Sequence, residues 1–122
     1  MDMPMPIDPA ADCHAVSEML SRVGDKWTMQ VVVVLRERPR RFNELKRSVG
    51  GISQQMLTCT LKTLERDGMV NRTVCPTTPP QVEYALTSLG RELSEPVRQL
   101  AQWTAAHLAI IHAHRSRYDA TR

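Results

Sequence analysis

Four residues near the middle of the chain carry side chains suited to the edges of DNA bases. Gln54, Gln55, Thr58 and Lys62 follow Ser53 at spacings that set them along or beside one side of a helix, away from Leu57, Leu61 and Leu64. A glutamine amide can bond bidentately to adenine, and a threonine methyl can touch the methyl of thymine. A lysine beside them can meet a backbone phosphate. Basic residues surround this set. From Arg36 to Arg72 there are nine Lys and Arg against four acids, a local charge of +5, while the remainder has seven against nine, or −2. A charge run is most often a solvated face, so the pattern gains meaning only when placed on elements.

Other reactive groups are sparse. Cys13, Cys59 and Cys75 are widely spaced and odd in number, which is no disulfide framework, and they are read as reduced thiols. Cys59 falls mid-helix and Cys75 at a strand end, where cysteines are more often packing residues than sensors. Cys13 falls at the expected start of a helix with Asp12 as N-cap. Backbone N–H groups there favour the reactive thiolate, and the Asp12 carboxylate works against it. His14 can add positive charge near neutral pH. His107, His112 and His114 stand five and two residues apart, which does not pair them on one helical face, so no metal site is expected. Glu44, Glu65 and Glu83 form no paired-carboxylate or nucleophile–base arrangement, and no Gly-rich phosphate loop is present. No enzymatic activity and no cofactor are expected.

Periodicity and punctuation give the elements that must position these residues. Residues 1–10, with three prolines, read as a disordered tail. A helix is expected over 13–23, stopped by Gly24, and a buried valine-rich helix over 26–37, opened by Asp25 and ended by Pro39. A short extended piece, 40–42, leads to Asn43 as N-cap of a short helix over 44–49. Gly50 and Gly51 make a turn, and Ser53 caps a helix over 54–67. The period then changes to two, giving a hairpin of strands around 70–74 and 82–86 with a Pro-rich loop over 75–81. Thr87 caps a helix from Ser88. Ser94, Glu95 and Pro96 read as a fresh helix start, with a second segment over 95–114. Along it Val97, Leu100, Trp103, Thr104, His107 and Ile111 form a stripe. Residues 115–122 are left as a C-terminal tail, so one domain spans 11–114.

At 122 residues the chain holds one domain of ordinary size and too little for two cores. Hydrophobic residues make up 42% and aromatics only 4%, which favours aliphatic helix packing over a β-sandwich. No apolar run approaches a bilayer span, and the acidic, Pro-rich start lacks the features of a signal peptide, so a cytoplasmic location without membrane contact is expected.

A short helix, a Gly-containing turn, a longer helix with polar residues at its start and a hairpin make a winged helix-turn-helix, a mainly α fold with a small β wing. Several motifs carry a resemblance. Asp25-Lys26-Trp27-Thr28, Arg41-Phe42-Asn43-Glu44-Leu45, Gly51-Ile52-Ser53, Met56-Leu57-Thr58, Leu61 to Leu64, Asp67-Gly68 and the run from Pro79 to Thr87 resemble HxlR-type bacterial transcriptional regulators. The likeness runs from about Cys13 to Trp103. It implies a homodimer on a palindromic operator in double-stranded DNA, often as a repressor, with the last helix forming the interface helped by the first. It also implies that a cysteine at the position of Cys13 can sense oxidants or electrophiles. Two positions depart from the family. His14 stands where a proline is common, and Gln81 where the wing commonly carries a basic residue.

The expected DNA-contacting set is therefore Arg40, Arg41, Asn43, Lys46, Ser53, Gln54, Gln55, Thr58, Lys62, Thr77, Thr78 and Gln81. The expected dimer face is Val97, Leu100, Trp103, His107 and Ile111, and the expected redox residue is Cys13. Two alternatives stay open. One is a winged helix used as a protein-interaction module without DNA. The other is a repressor released by a small apolar ligand instead of thiol chemistry. The polar character of Gln54, Gln55, Thr58 and Lys62 favours DNA, because a protein interface would more often show apolar anchors there.

Overall fold

The computed structural model describes residues 9–121. In chain order these form α1 (Pro9–Val23), α2 (Lys26–Glu37), β1 (Arg40–Arg41), α3 (Phe42–Ser48), α4 (Gln54–Arg66), β2 (Val70–Cys75), β3 (Gln81–Leu86) and α5 (Ser88–Ala120). The mainly helical winged helix-turn-helix read from the sequence is the observed fold.

The valine run is a helix because of where it lies. Asp25 Oδ2 accepts from the N–H groups of Trp27 and Thr28, both at 3.1 Å, and so nucleates α2. Val31, Val32 and Leu35 then pass through the centre of the protein and are buried. Burial of that face outweighs the small β preference of valine. Leu45 and Val49, Ile52, the α4 leucines Leu57, Leu61 and Leu64, and Val70, Leu86 and Val97 complete the core.

Ser53 caps α4 by accepting from Met56 N at 3.0 Å. The helix ends at Arg66, and just beyond its Asp67 cap Gly68 turns the chain away with a φ of +79°, a left-handed conformation that glycine adopts without strain. Met69 N then returns to Leu64 O at 2.9 Å. The sheet order is β1-β3-β2, all antiparallel, with Arg40 opposite Tyr84 and Cys75 opposite Gln81. The base of this wing is tied to α5. Thr87 N donates to Met69 O at 2.9 Å, Thr87 Oγ1 donates to Gly68 O at 2.6 Å, and the same oxygen accepts from Gly90 N at 3.0 Å.

Several element boundaries differ from the sequence reading. Helix α1 already runs from Pro9, so Asp12 lies inside it and is not its N-cap, and Pro9 and Ala10 are helical; the rest of the expected tail lies outside the described residues. Helix α3 starts at Phe42, so Asn43 is not its cap. Its first turn is closed by Glu44, whose Oε1 accepts from Arg41 N at 2.9 Å. The two expected C-terminal segments are one helix of 33 residues that continues through Pro96 and on to Ala120. Ser94 does not cap a new helix; it is buried and its hydroxyl donates to Arg91 O at 2.6 Å. An internal proline costs a helix about 3 kcal/mol. Packing beside Pro96 offsets this, because Val97 is buried in the core. Glu95 joins the elements by pairing with Arg36 of α2 at 2.5 Å and with Arg98 of its own helix.

Candidate nucleic-acid interface

The leucines of α4 turn one side of that helix inward, which leaves the opposite side open. Gln54, Gln55, Thr58, Cys59 and Lys62 line one shallow depression of about 580 Å³ on this outer side. Gln54, Gln55, Cys59 and Lys62 are exposed. Thr58 is half-buried, and its hydroxyl donates to Gln54 O at 2.9 Å, so it offers less than its sequence position suggested. Ser53 is exposed, with its hydroxyl oxygen engaged as the cap.

A second, polar cleft of about 740 Å³ lies between the start of α3 and the wing. Arg38, Arg41, Asn43, Glu44, Arg47, Gln81 and Glu83 line it. The Arg41 backbone N–H holds the Glu44 carboxyl below its ordinary value; desolvation opposes this, and the Arg38 and Arg40 charges add to the lowering. Arg38 bonds Glu44 at 3.4 Å. Gln81 is half-buried, and its Oε1 has no hydrogen-bond partner among the described residues. At the wing tip Thr77 and Thr78 are exposed, with the Thr77 hydroxyl donating to Pro79 O at 2.7 Å.

The basic residues of the middle third divide into two sets. Arg36 pairs with Glu95, Arg38 with Glu44 and Arg40 with Glu37. Arg40 is the most confined. Its side chain is only 12% exposed, and it also reaches Ser48 Oγ at 3.3 Å. It braces β1 against α2 and α3, and so is held more tightly than the neighbouring Arg41 of the expected DNA-contacting set. Arg41, Lys46, Arg47, Lys62, Arg66 and Arg72 are exposed and make no ion pair among the described residues. These unpaired cations lie on β1 (Arg41), α3 (Lys46 and Arg47), α4 (Lys62 and Arg66) and the wing strand β2 (Arg72). Arg41 and Arg47 line the cleft between α3 and the wing, and Arg72 lies beside Lys62 of α4. Arg38 and Arg47 in the cleft were not singled out from the sequence.

The dimer stripe also divides. Val97 is 4% exposed in the protein's own core, so it is not part of a free face. Beyond it Leu100 and Trp103 are more than half exposed, as is Ile110, which the sequence reading left out. His107 and Ile111 are half-buried. The His107 ring stacks on Trp103 with centroids 4.3 Å apart, and its Nδ1 lies 2.7 Å from Trp103 O. On α1, Val16 and Leu20 are exposed as well.

The three thiols are free. Cys13 is exposed, but it lies in the second turn of α1, not at its first N–H groups. Cys59 is exposed on α4 and is not the packing residue expected of it, while Cys75 is half-buried at the end of β2. Among the described residues no three His, Cys, Asp or Glu gather to hold a metal ion, and no helix is long and apolar enough to cross a membrane.

Comparison with known proteins agrees with this geometry. The family model described as HxlR-like helix-turn-helix matches residues 22–111. The HTH-type transcriptional regulator YtfH of Escherichia coli K12, itself uncharacterized, is 44% identical over 96 residues, covering 79% of this chain and 76% of that protein. Among solved structures, the redox regulator HypR in its reduced form superposes with a TM-score of 0.74 at 36% identity, covering 81% of this chain and 98% of that one. The reduced form of the transcriptional regulator YodB from B. subtilis gives a TM-score of 0.67 at 37% identity, covering 78% and 92%.

Proposed function

The chain belongs to the HxlR-like helix-turn-helix family of transcriptional regulators, and on that premise we propose that it is a homodimeric repressor that reads a palindromic operator with α4. The observation that carries this reading is the set of unpaired cations. A protein that pairs Arg22, Arg36, Arg38, Arg40 and Arg98 with acids leaves Arg41, Lys46, Arg47, Lys62, Arg66 and Arg72, on α4 and on the helix-turn-helix and wing elements about it, without an ion pair among the described residues. Phosphates at spaced positions along a duplex are natural partners for such a set. In this reading Gln54 and Gln55 face base edges from the leading end of α4. Arg41, Asn43 and Lys46, with Arg47, meet the backbone on one side of it. Thr77, Thr78 and Gln81 of the wing approach the neighbouring groove.

The exposed apolar residues of α5 form the dimer contact, and Cys13 serves as the signal input. A quinone-type electrophile would accept Cys13 Sγ at a ring carbon, the carbon–sulfur bond forming as the S–H bond and the ring C=C π bond break. The thiol proton goes to one ring oxygen and the ring C–H proton shifts to the other, leaving the thioether of a hydroquinone. The exposure of Cys13 and the likeness to a protein named as a redox regulator support that part.

Selection of duplexes from a random library, followed by titration at several salt concentrations, tests the function. A dyad-symmetric sequence should emerge, bound with a steep salt dependence. Recovery of no preferred sequence would overturn the DNA reading and favour a protein-interaction module.

A further inference from the structure

The inward side of α4 is set by Leu57, Thr60, Leu61 and Leu64, all buried. With 3.6 residues per turn, the side directly opposite carries Gln55, Cys59, Lys62 and Arg66, at i, i+4, i+7 and i+11. All four are exposed. Gln54 and Thr58 lie on a flank, and the Thr58 hydroxyl is turned back onto the helix. The outermost residue of the second turn is therefore Cys59 and not Thr58.

The rise along the helix gives this stripe a direction. Gln55 and Cys59 stand about 6 Å apart, which fits within a major groove about 12 Å wide. Lys62 and Arg66 follow at about 4.5 Å and about 10 Å beyond Cys59, where the helix leaves the bases and basic side chains meet phosphates. Cys59 is thus bracketed by an amide suited to a base edge and two cations suited to the backbone. Its thiol is small, polarizable and only a weak hydrogen-bond donor. The group in the major groove that matches it is the 5-methyl of thymine, which is read by apolar contact.

We propose that Cys59 is a specificity-determining residue, packing its sulfur against a thymine methyl one turn along α4 from the base pair read by Gln55. This rests on the reading of α4 as the helix that enters the groove. It makes the preference of the operator a product of two side chains on one stripe. Gln55 supplies hydrogen bonds and Cys59 supplies shape.

The test uses a duplex selected from a random library and the full chain. Each thymine is replaced in turn by deoxyuridine, which removes the methyl and nothing else. At one thymine per half-site the wild type should lose affinity by about three- to fivefold, the effect of one buried methyl. For Cys59→Ser the same replacement should change affinity by less than about twofold. In parallel, iodoacetamide labelling of the Cys13→Ser protein, which cannot be released through that thiol, read by mass spectrometry should show Cys59 protected in the complex at least about tenfold relative to the same variant without DNA. If Cys59 labels at its free rate in an intact complex, or no thymine shows a Cys59-dependent loss, the proposal is wrong although the protein still reads DNA. If Gln55→Ala and Lys62→Ala also leave binding to the selected duplex unchanged, α4 itself has been misplaced, and the proposal falls with that reading.

Discussion

In the proposed reading of α4, neighbouring side chains divide between positioning and reading. Lys62 is exposed and unpaired, so its replacement removes one cation and no internal contact. Lys62→Ala should weaken binding to all duplexes alike and lower the slope of log affinity against log salt by about one. Gln55→Ala should instead relax the preference at one position per half-site, at about 1–3 kcal/mol, with the salt slope unchanged. Fluorescence anisotropy over a salt series separates the two, and identical behaviour of both variants would contradict this division. Cys13 poses a different question at the same scale. It stands in the second turn of α1 and not at the helix start expected from the sequence. Its exposure remains, and exposure decides access. Diamide or a quinone should release wild-type protein from its operator and leave Cys13→Ser bound. Since Cys59 is also exposed, the Cys59→Ser background is needed to assign any release to Cys13.

The elements were legible wherever their signal is local. Asp25, Ser53 and Thr87 each cap the helix that follows, as their sequence positions predict. The hairpin follows from its period of two. Helix ends set by distant contacts were not legible. The continuation of α5 through Pro96 depends on Val97 reaching the core and on Glu95 pairing with Arg36 of α2, partners 59 residues apart. Arg40 reads in sequence as one member of the basic, DNA-contacting set because Glu37 and Ser48 fold around it only in space. Gly90 is the least visible of these positions. A Cβ there would stand 2.1 Å from Met69 O, so α5 can approach the wing base only with glycine at that place. Gly90→Ala should cost about 1–3 kcal/mol in urea unfolding, since backbone and not a flexible side chain must yield. Two carboxylates also bind elements together. The Arg41 N–H lowers the pKa of Glu44, and Arg98 followed by Arg36 lowers that of Glu95. A depressed carboxylate stabilises the fold above its unfolded pKa and loses that contribution as pH falls through the folded value. The urea midpoints of wild type and the Glu44→Gln/Glu95→Gln pair should therefore differ at neutral pH and converge in acid. A constant gap across that range would contradict the assignment.

At the scale of the whole molecule, α5 is too long for the body it packs on. Its 33 residues span about 50 Å, and Val97 is its last buried residue. Past that point Leu100, Trp103, His107, Ile110 and Ile111 share one side, with Leu100, Trp103 and Ile110 each more than half exposed. Monomers rarely leave such a stripe in water. On the proposed dimer reading, a second copy would apply the same stripe under two-fold symmetry, and the interface would then close after two subunits. Two α4 helices related by that axis can meet one face of a duplex only if they lie about one helical turn, about 34 Å, apart. Two measurements follow from this geometry. Leu100→Glu/Trp103→Glu should sediment at half the wild-type mass with helical content retained, and should lose most of its operator affinity while keeping weak, salt-sensitive binding to any duplex. Inserting about five base pairs between the half-sites turns the second by half a turn. That insertion should abolish tight binding by wild type, whereas about ten inserted base pairs return the half-sites to one face but beyond the reach of rigidly held helices. Binding that tolerates the half-turn insertion, or a wild type that sediments as a monomer at micromolar concentration, would show that the α5 stripe does not set the spacing of the two α4 helices.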